Sequence, residues 1–318
     1  MRILVTGGAG FIGSNYVEWL MGDKENEVIV VDALTYAGSK GYLSPWMDRD
    51  DFHFYPYYVE DERRMEEVFR KHKPQHVVHF AAETHVDNSI KKPIRFIESN
   101  VQGTFTMLEV SRMFEVERFV YISTDEVYGS IMDGSFKETD MTYPRNPYSA
   151  TKLAGEALVR SYCNTYAFPG LITRSSNNFG LRQAPEKFIP KSIGHLLRGE
   201  PILIYGSGEQ VRDWLWVTDN CSAIDDVRIK GMLNNIYNIG ANNEWSNIEI
   251  AQLLIEIMGK PKSMLVHGND RPGHDFRYSL DTTKIRTELE WQPFVTDKNS
   301  FKVTFEWVVK QYVRILSK

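Results

Sequence analysis

Residues 2–13 read Arg-Ile-Leu-Val-Thr-Gly-Gly-Ala-Gly-Phe-Ile-Gly. The first five form a short apolar run that is typical of a buried strand, and a helical pattern follows the last glycine. Glycines at this spacing let the backbone turn tightly and approach a pyrophosphate, which binds at the N-terminus of the helix. The stretch therefore predicts a dinucleotide-binding strand–turn–helix unit, with Gly7, Gly10 and Gly13 next to the cofactor.

A second apolar run, residues 28–31, ends at Asp32. A carboxylate at this place accepts hydrogen bonds from the adenosine ribose and repels a 2′-phosphate, so we expect NAD rather than NADP as the cofactor. The alternative is that Asp32 is an ordinary turn residue. Because a glycine loop precedes it in the chain, this is the weaker interpretation.

The rest of the chain alternates between strand and helix patterns as far as residue 173. Such alternation predicts the α/β class and a doubly wound parallel Rossmann sheet. Beyond Arg174 the pattern is irregular, and we expect a smaller C-terminal α/β substrate domain there. The predicted division is an NAD-binding domain over 1–176 and a substrate domain over 177–318, with some interleaving of segments. Predicted strands cover 52–55, 76–80, 119–122, 169–173 and 201–206, and predicted helices cover 61–71, 93–114, 148–162 and 248–258.

The composition is that of a globular protein, which we expect to be cytoplasmic and to have neither nucleic-acid nor membrane partners. The 318 residues carry a net charge of −5, and two cysteines are too few for a disulfide framework. No apolar run approaches the ~18 residues of a membrane span, and Met1 leads directly into a strand, which leaves no room for a signal peptide. His79 and His85 lack partners at metal-ligand spacing, so we expect no metal.

The strongest chemical signal follows the predicted strand at 119–122. Ser123-Thr124-Asp125-Glu126 places a hydroxyl and two adjacent carboxylates where ligands bind in open α/β sheets, beyond the carboxyl end of a strand. Like charges this close raise one pKa, so one group stays protonated as an acid while the other serves as a base. The alternative is a solvated turn.

Tyr148 and Lys152 are four residues apart and share one face of a predicted helix. An ammonium beside a phenol favours the phenolate, which makes the tyrosine a better base. The spacing alone is weak evidence, because Tyr36 and Lys40 repeat it in a glycine-containing loop.

The second half contains cations in separate segments: Lys187, Arg212 and Arg271. They could bind an anionic group such as a diphosphate, for which the planar guanidinium is well suited. Surface ion pairing is an equally compatible alternative. Its acidic partners would be Asp213, Asp270 and Asp275.

Taken together, these blocks resemble the extended short-chain dehydrogenases/reductases. The resemblance rests on residues 6–13, 123–129 and 148–152. A narrower resemblance, to the dTDP-glucose 4,6-dehydratase family, rests on residues 32–38, 79–87, 173–180, 211–214 and 270–275. One departure is Tyr58, which stands near the end of the third strand where the family usually has an acid close to the adenine.

The resemblance implies a catalytic role for five residues. Tyr148 would remove the C4-hydroxyl proton, and Lys152 would lower its pKa and hold the nicotinamide ribose. Thr124 would hydrogen-bond the C4 oxygen. Asp125 would protonate the leaving C6 hydroxyl, and Glu126 would take the C5 proton.

It also implies the binding residues and the partners. The cofactor residues would be Gly7, Gly10, Phe11, Ile12, Gly13, Asp32, Ala33, Leu34, Thr35, Ala81, Ala82, Ser99, Tyr148, Lys152 and Asn178. The substrate residues would be Thr84, Thr124, Asn177, Lys187, Phe188, Leu203, Tyr205, Arg212, Asn243, Arg271 and His274. We expect a nucleotide-sugar substrate (dTDP-glucose), a place in deoxysugar or rhamnose biosynthesis, and a homodimer.

Three alternatives stay open. A UDP- or CDP-sugar 4,6-dehydratase would use the same two acids. A nucleotide-sugar 4-epimerase shares the scaffold but generally lacks Asp-Glu after the threonine. A nucleotide-binding regulatory protein would need only the glycine loop and Asp32.

Overall fold

The computed structural model describes residues 1–270 and 275–317, and its centre is a seven-stranded parallel sheet. Across the sheet the strand order is β10-β6-β5-β4-β1-β2-β3. The chain adds strands on one side of β1 as far as β3 and then on its other side from β4 onward, so the order switches between β1 and β4. Ligands bind at such a switch point, beyond the carboxyl ends of the strands. The predicted doubly wound sheet is confirmed. The strands are β1 (Arg2–Thr6), β2 (Glu27–Val31), β3 (Phe52–Tyr55), β4 (His76–His79), β5 (Arg118–Thr124), β6 (Gly170–Ser175) and β10 (Asn235–Ile239).

Helices cover both faces of this sheet. Helices α1 and α8 pack with the side chains of one face, and α2, α5 and α6 pack with those of the other. Strand residues point alternately to the two faces, so Ile3 and Leu4 of β1 belong to different cores. The α-helices are α1 (Phe11–Met21), α2 (Glu62–His72), α3 (Val86–Lys91), α4 (Ile94–Phe96), α5 (Gly103–Met113), α6 (Pro147–Tyr166), α7 (Phe188–Leu197), α8 (Val217–Lys230), α9 (Asn247–Ile257), α10 (Thr283–Glu288) and α11 (Lys298–Leu316).

The single helix predicted over 93–114 is interrupted. Between α4 and α5 the chain forms a π-helical segment, Ile97–Gln102. The Asn100 side chain is buried there, accepts a hydrogen bond from the Glu83 backbone N–H at 2.8 Å and donates to the Glu83 carbonyl at 3.0 Å. Its amide also donates to Thr151 Oγ1 of α6 at 3.0 Å. The π-helical segment thus places the Asn100 side chain where it links the loop after β4 to α6. Helical periodicity in the sequence does not reveal this contact.

A second, smaller α/β region packs around Phe179, Trp245, Phe301 and Phe305. Its helices include α7, α9 and α11. It contains a three-stranded sheet, β11-β9-β7, and a two-stranded pair, β12-β8. These strands are β7 (Asn177–Phe179), β8 (Ile202–Tyr205), β9 (Val211–Trp216), β11 (Glu244–Ser246) and β12 (Leu265–Gly268).

Two elements from the second half return to the large sheet. Strand β10 pairs in parallel with β6, where Asn235 lies opposite Leu171. Helix α8 packs against α1. Neither element was predicted from the sequence. They are interleaved segments of the kind that the proposed division allows, and the boundary at residue 176 stays a prediction.

Among the described residues, no helix is both long and apolar enough to cross a membrane.

Candidate active site

The glycine loop brings the backbone of β1 close to the loop after β4. Gly7 has a φ of +68°, and a Cβ there would lie 2.8 Å from the Ala81 nitrogen. A Cβ on Gly13 would collide with the Gly7 carbonyl oxygen. The loop therefore admits no side chain at either position, and α1 begins directly after Gly10. This close-packed turn at a helix N-terminus suits a pyrophosphate.

Asp32 lies at the carboxyl end of β2 and is buried. Its Oδ2 accepts a hydrogen bond from the Ala9 N–H at 2.8 Å, and its Oδ1 accepts from the Leu34 N–H at 2.8 Å. Burial raises the pKa of Asp32, and these backbone donors oppose that shift by stabilising the carboxylate. Asp32 thus holds the glycine loop in place as well as facing the pocket.

The pocket beside Asp32 gathers eight of the predicted cofactor residues: Gly7, Gly10, Asp32, Ala33, Thr35, Ala81, Ala82 and Ser99. Phe11, Ile12 and Leu34 instead pack partly against the core. Tyr58, which the resemblance places near the adenine, also lines this pocket. Residues that were not predicted complete the wall: Val31, Ala37, Gly38, Tyr57, Val59, Glu60, Glu83 and Arg95. The Arg95 guanidinium lies 5.8 Å from the centre of the Tyr58 ring, so a cation and an aromatic ring occupy the place where the family usually has an acid.

The Thr-Asp-Glu run turns away from the sheet at the carboxyl end of β5. Thr124 accepts a hydrogen bond from the Glu126 N–H at 3.3 Å and caps a short 3₁₀ turn, Asp125–Val127. The Thr124 hydroxyl also donates to Asp125 Oδ1 at 3.1 Å. The turn carries both carboxylates out of the strand within two residues.

Asp125 is only 3% exposed, and its Oδ2 has no hydrogen-bond partner among the described residues. Burial, followed by the charge of Glu126, raises the pKa of Asp125 to about 8. Asp125 is therefore protonated at neutral pH, as a general acid must be. The expected division of the pair into one acid and one base agrees with this shift.

Asn146 joins the two halves of the catalytic cluster and was not predicted. Its side-chain oxygen accepts from the Ser149 N–H at 2.9 Å and caps α6, the helix that carries Tyr148 and Lys152. Its amide nitrogen donates to Glu126 Oε2 at 3.0 Å. The signal in the sequence is an Asn-Pro pair with serine three residues after the asparagine, which is typical of a helix N-terminus.

The electrostatics of Tyr148 differ from the expectation. Burial and the nearby charge of Glu126 raise the pKa of Tyr148, although a hydrogen bond with Thr124 opposes the shift. Burial lowers the pKa of Lys152 to about 7, and its Nζ lies 4.3 Å from the centre of the Tyr121 ring. In the ligand-free chain, burial and the charge of Glu126 therefore raise the pKa that the spacing was expected to lower.

A cleft of about 670 Å³ opens beside Glu126 between the two regions. Lys187 bridges its walls, because its Nζ donates to the Thr84 carbonyl at 3.1 Å. Lys191 follows one helical turn later and was not predicted. The predicted residues that line the cleft are Glu126, Asn177, Asn178, Lys187, Phe188, Leu203, Tyr205 and Arg212.

Arg212 is held mainly by backbone oxygens. Its guanidinium donates to the carbonyls of Val211 at 2.7 Å, Asp275 at 2.9 Å and Phe276 at 3.2 Å. Asp213 instead accepts hydrogen bonds from the N–H groups of the 241–243 turn. The ion pairing weighed as an alternative is therefore not what positions Arg212.

Asn243 is buried in that turn, where its Oδ1 accepts from Trp245 Nε1 at 3.0 Å. Its Nδ2 has no partner among the described residues. Arg271 and His274, two further predicted substrate residues, lie outside the described residues. The assignment of all three to the substrate stays a prediction.

The comparisons with known proteins agree with this site. The sequence matches the family described as GDP-mannose 4,6 dehydratase over residues 4–304. The low-salt glycan biosynthesis protein Agl12 of Haloferax volcanii is 46% identical, over 92% of this chain and 94% of its own length. A dTDP-glucose 4,6-dehydratase of Xanthomonas campestris is 42% identical, over 96% of this chain and 92% of its own length.

Solved structures give the same result. The dTDP-glucose 4,6-dehydratase DesIV of Streptomyces venezuelae, crystallised with NAD, is 41% identical, with a TM-score of 0.95 over 99% of this chain and 97% of its own. The parallel sheet, the glycine loop and the Tyr148–Lys152 pair are those of an extended short-chain dehydrogenase/reductase. Within that class, the chain belongs to the dTDP-glucose 4,6-dehydratase family.

Proposed function

We propose that this chain is a dTDP-glucose 4,6-dehydratase, which converts dTDP-glucose to dTDP-4-keto-6-deoxyglucose with NAD as its cofactor. The observation that carries the proposal is the buried Asp125, whose pKa is raised to about 8 beside Glu126 and close to Tyr148. Oxidation at C4 needs Tyr148 and Lys152 but not the two acids. Loss of water across C5 and C6 needs an acid and a base at neighbouring carbons, and this pair supplies both.

NAD fits the pocket between the glycine loop and Asp32. The backbone of Gly7 and Gly10 would face the pyrophosphate, and Asp32 would accept from the adenosine ribose. When bound, NAD supplies a positively charged ring that accepts the hydride and later returns it. Since the pKa of Tyr148 is raised in the ligand-free chain, we infer that this residue becomes an effective base only with a cation beside it.

The residues act in three stages: oxidation at C4, loss of water across C5 and C6, and reduction at C6. Tyr148 takes the proton of the C4 hydroxyl while Thr124 hydrogen-bonds that oxygen, and the C4–H bond breaks to leave a ketone. The ketone acidifies the hydrogen at C5, which Glu126 removes. Asp125 donates its proton to the C6 hydroxyl, which departs as water and leaves a C5–C6 double bond. Hydride then returns to C6, and C5 regains a proton.

The nucleotide would occupy the cleft beyond Glu126. Its lining combines the cations Lys187, Lys191 and Arg212 with the acids Asp87, Glu126 and Glu186, and the three cations are suited to bind a diphosphate. The exposed Leu203 and the half-buried Tyr205 offer an apolar wall for a base. The choice among thymine, uracil and cytosine is the open part of the proposal, because a relative of 46% identity is named for glycan biosynthesis rather than for a substrate.

We further propose a homodimer that forms through α5 and α6. Large apolar side chains stand exposed on α5 and the helical segment before it, and an exposed apolar patch favours association. They are Ile94, Ile97, Phe105 and Met113. A purely monomeric species in analytical ultracentrifugation would contradict this proposal. A cytoplasmic location and a place in deoxysugar or rhamnose biosynthesis complete it.

The proposed activity is tested by incubation of the purified protein with dTDP-glucose. We expect a product lighter by one water, with a 4-keto group and no net NADH. A product of unchanged mass but inverted C4 configuration would instead indicate a 4-epimerase. Turnover of UDP- or CDP-glucose in preference to dTDP-glucose would change the base and keep the reaction. Binding of NAD without turnover of any of the three would overturn the proposal in favour of a regulatory protein.

A further inference from the structure

Two histidines and a glutamate meet at the end of the sheet opposite to the active site. Glu27 begins β2, His53 lies in β3 at the edge of the sheet, and His72 ends α2. In the register of the two strands His53 lies opposite Ile29, two residues from Glu27, so both side chains project on the face that α2 covers. Glu27 is five residues from Asp32, which places the cluster about 17 Å along the strand from the cofactor pocket.

The three side chains converge on one point. His53 Nε2 lies 3.1 Å from Glu27 Oε1, and His72 Nδ1 lies 3.4 Å from the same oxygen. One ligand atom from each residue lies within 4.8 Å of the others. Ligand bonds of about 2.0–2.1 Å to a tetrahedral Zn²⁺ imply ligand atoms about 3.3–3.4 Å apart. The two distances to Glu27 Oε1 are close to that value, and the longer one exceeds the length of an ordinary hydrogen bond.

Tyr55 provides the outer contact that metal-bound histidines usually have. Its hydroxyl lies 2.7 Å from His72 Nε2, the ring nitrogen that does not face Glu27. Lys71 Nζ donates to the Tyr55 oxygen at 3.0 Å, so this tyrosine is itself held in place. With His72 Nδ1 on a metal, Nε2–H would donate to Tyr55, which fixes the tautomer and the ring orientation.

The cluster also suits a cation from solution. The side chains of His53 and Glu27 are 30% and 35% exposed, while His72 is nearly buried, so an ion can enter from one side. Imidazole and carboxylate together suit Zn²⁺ better than Mg²⁺ or Ca²⁺.

We propose that Glu27, His53 and His72 bind one Zn²⁺ ion, with water in the fourth position. The ion would join the edge strand β3 and the end of α2 to β2, so its effect is on the stability of the sheet edge and not on the reaction. The histidines at 79 and 85, which were weighed from the sequence, are not part of this site.

The test is titration of the chelator-treated, full-length protein with ZnCl₂ in competition with a chromophoric chelator. We expect one tight equivalent in the wild type. His53→Asn and Glu27→Gln should each weaken it at least about 100-fold, and Tyr55→Phe about 10-fold, as for loss of an outer-shell partner. His267→Asn is the control, because His267 is an exposed histidine elsewhere on the molecule. Unchanged NAD binding would show that each variant is folded.

Titration with Co²⁺ in place of Zn²⁺ reports the geometry. Strong visible absorption from tetrahedral Co²⁺ in the wild type, lost in His53→Asn and kept in His267→Asn, would support the site. Either of two results would overturn the proposal: no tight equivalent in the wild type, or binding that His53→Asn and Glu27→Gln leave unchanged. The three residues would then form a hydrogen-bonded cluster only.

Discussion

Asp32 and Asp125 are both buried aspartates at the carboxyl ends of parallel strands, β2 and β5, yet their surroundings differ in one respect. Each oxygen of Asp32 accepts a backbone N–H at 2.8 Å. Among the described residues, Asp125 receives a hydrogen bond from the Thr124 hydroxyl alone and has one oxygen without a partner, and it lies next to Glu126. Burial raises both pKa values, but only Asp32 has backbone donors to offset the cost of its charge.

The difference shows that hydrogen-bond donors, more than depth, decide what a buried carboxyl group can do. A carboxyl group surrounded by N–H donors is a fixed acceptor, suited to hold a ribose and a loop. A carboxyl group without them retains a proton that it can give away.

The largest effect is expected from Asp125→Asn, which keeps the shape and removes the transferable proton. Turnover of dTDP-glucose should fall about 10²- to 10⁴-fold, the usual contribution of a general acid. Oxidation at C4 does not need this proton, so NADH absorbance should build up and persist. Asp140→Asn, at an exposed loop position, is the control and should keep full activity. Equal turnover in both variants would remove Asp125 from the acid role.

The matching change at the other site, Asp32→Asn, should have the opposite kinetic signature. It places an amide N–H against a backbone N–H, so the loop and the ribose each lose a charged acceptor worth about 1.5–3 kcal/mol. We expect the Kd for NAD to rise about 10- to 100-fold, with turnover at saturating NAD nearly unchanged. Titration of the cofactor-free protein with NAD measures the Kd, and steady-state kinetics at saturating NAD measure the turnover. A fall in turnover with unchanged Kd would erase the contrast between the two aspartates.

A pH series tests the proton on Asp125 directly. The folded chain keeps this proton up to about pH 8, whereas an unfolded aspartate loses it near pH 4, so the contribution of Asp125 to the free energy of unfolding declines as the pH rises between those values. Asp125→Asn removes that decline. Its Tm relative to the wild type should therefore increase by a few degrees from pH 5 to pH 8 in cofactor-free protein. A constant difference would mean that Asp125 is already ionised in the folded chain.

The smallest effect is expected at Asn146, which we assign as a positioning residue. Asn146→Asp keeps the helix cap, since the two residues cap equally well, but it replaces the donor to Glu126 with a second carboxylate that repels it. Turnover should fall up to about 10-fold, with Tm nearly unchanged and the pH dependence of turnover altered. Asn146→Ala loses both contacts and should also cost about 1 kcal/mol of stability. Normal turnover with a normal pH profile in Asn146→Asp would leave Asn146 a helix cap alone.

Much of the cofactor side could be predicted from the sequence because local backbone requirements determine it. The positions of the glycines, of Asp32 and of the residues after β5 are determined mainly by the strand that each of them follows. Asn100 and Asn146 could not be recognised in this way, since their contacts join segments that are distant in the chain. The expected direction of the Tyr148 pKa shift was wrong for a different reason: the shift depends on how much water the folded chain excludes.

The return of β10 and α8 to the large sheet has a consequence for synthesis of the chain on the ribosome. When residue 176 has just emerged, β6 still has an unpaired edge and the apolar face of α1 has no helix against it. The large sheet can be completed only after β10, which ends at Ile239, has been translated, well into the second half. The cofactor-binding half therefore cannot complete its folding before the segments of the second half that pair with it have been made. We expect chaperone contact to be needed longest at the unpaired edge of β6.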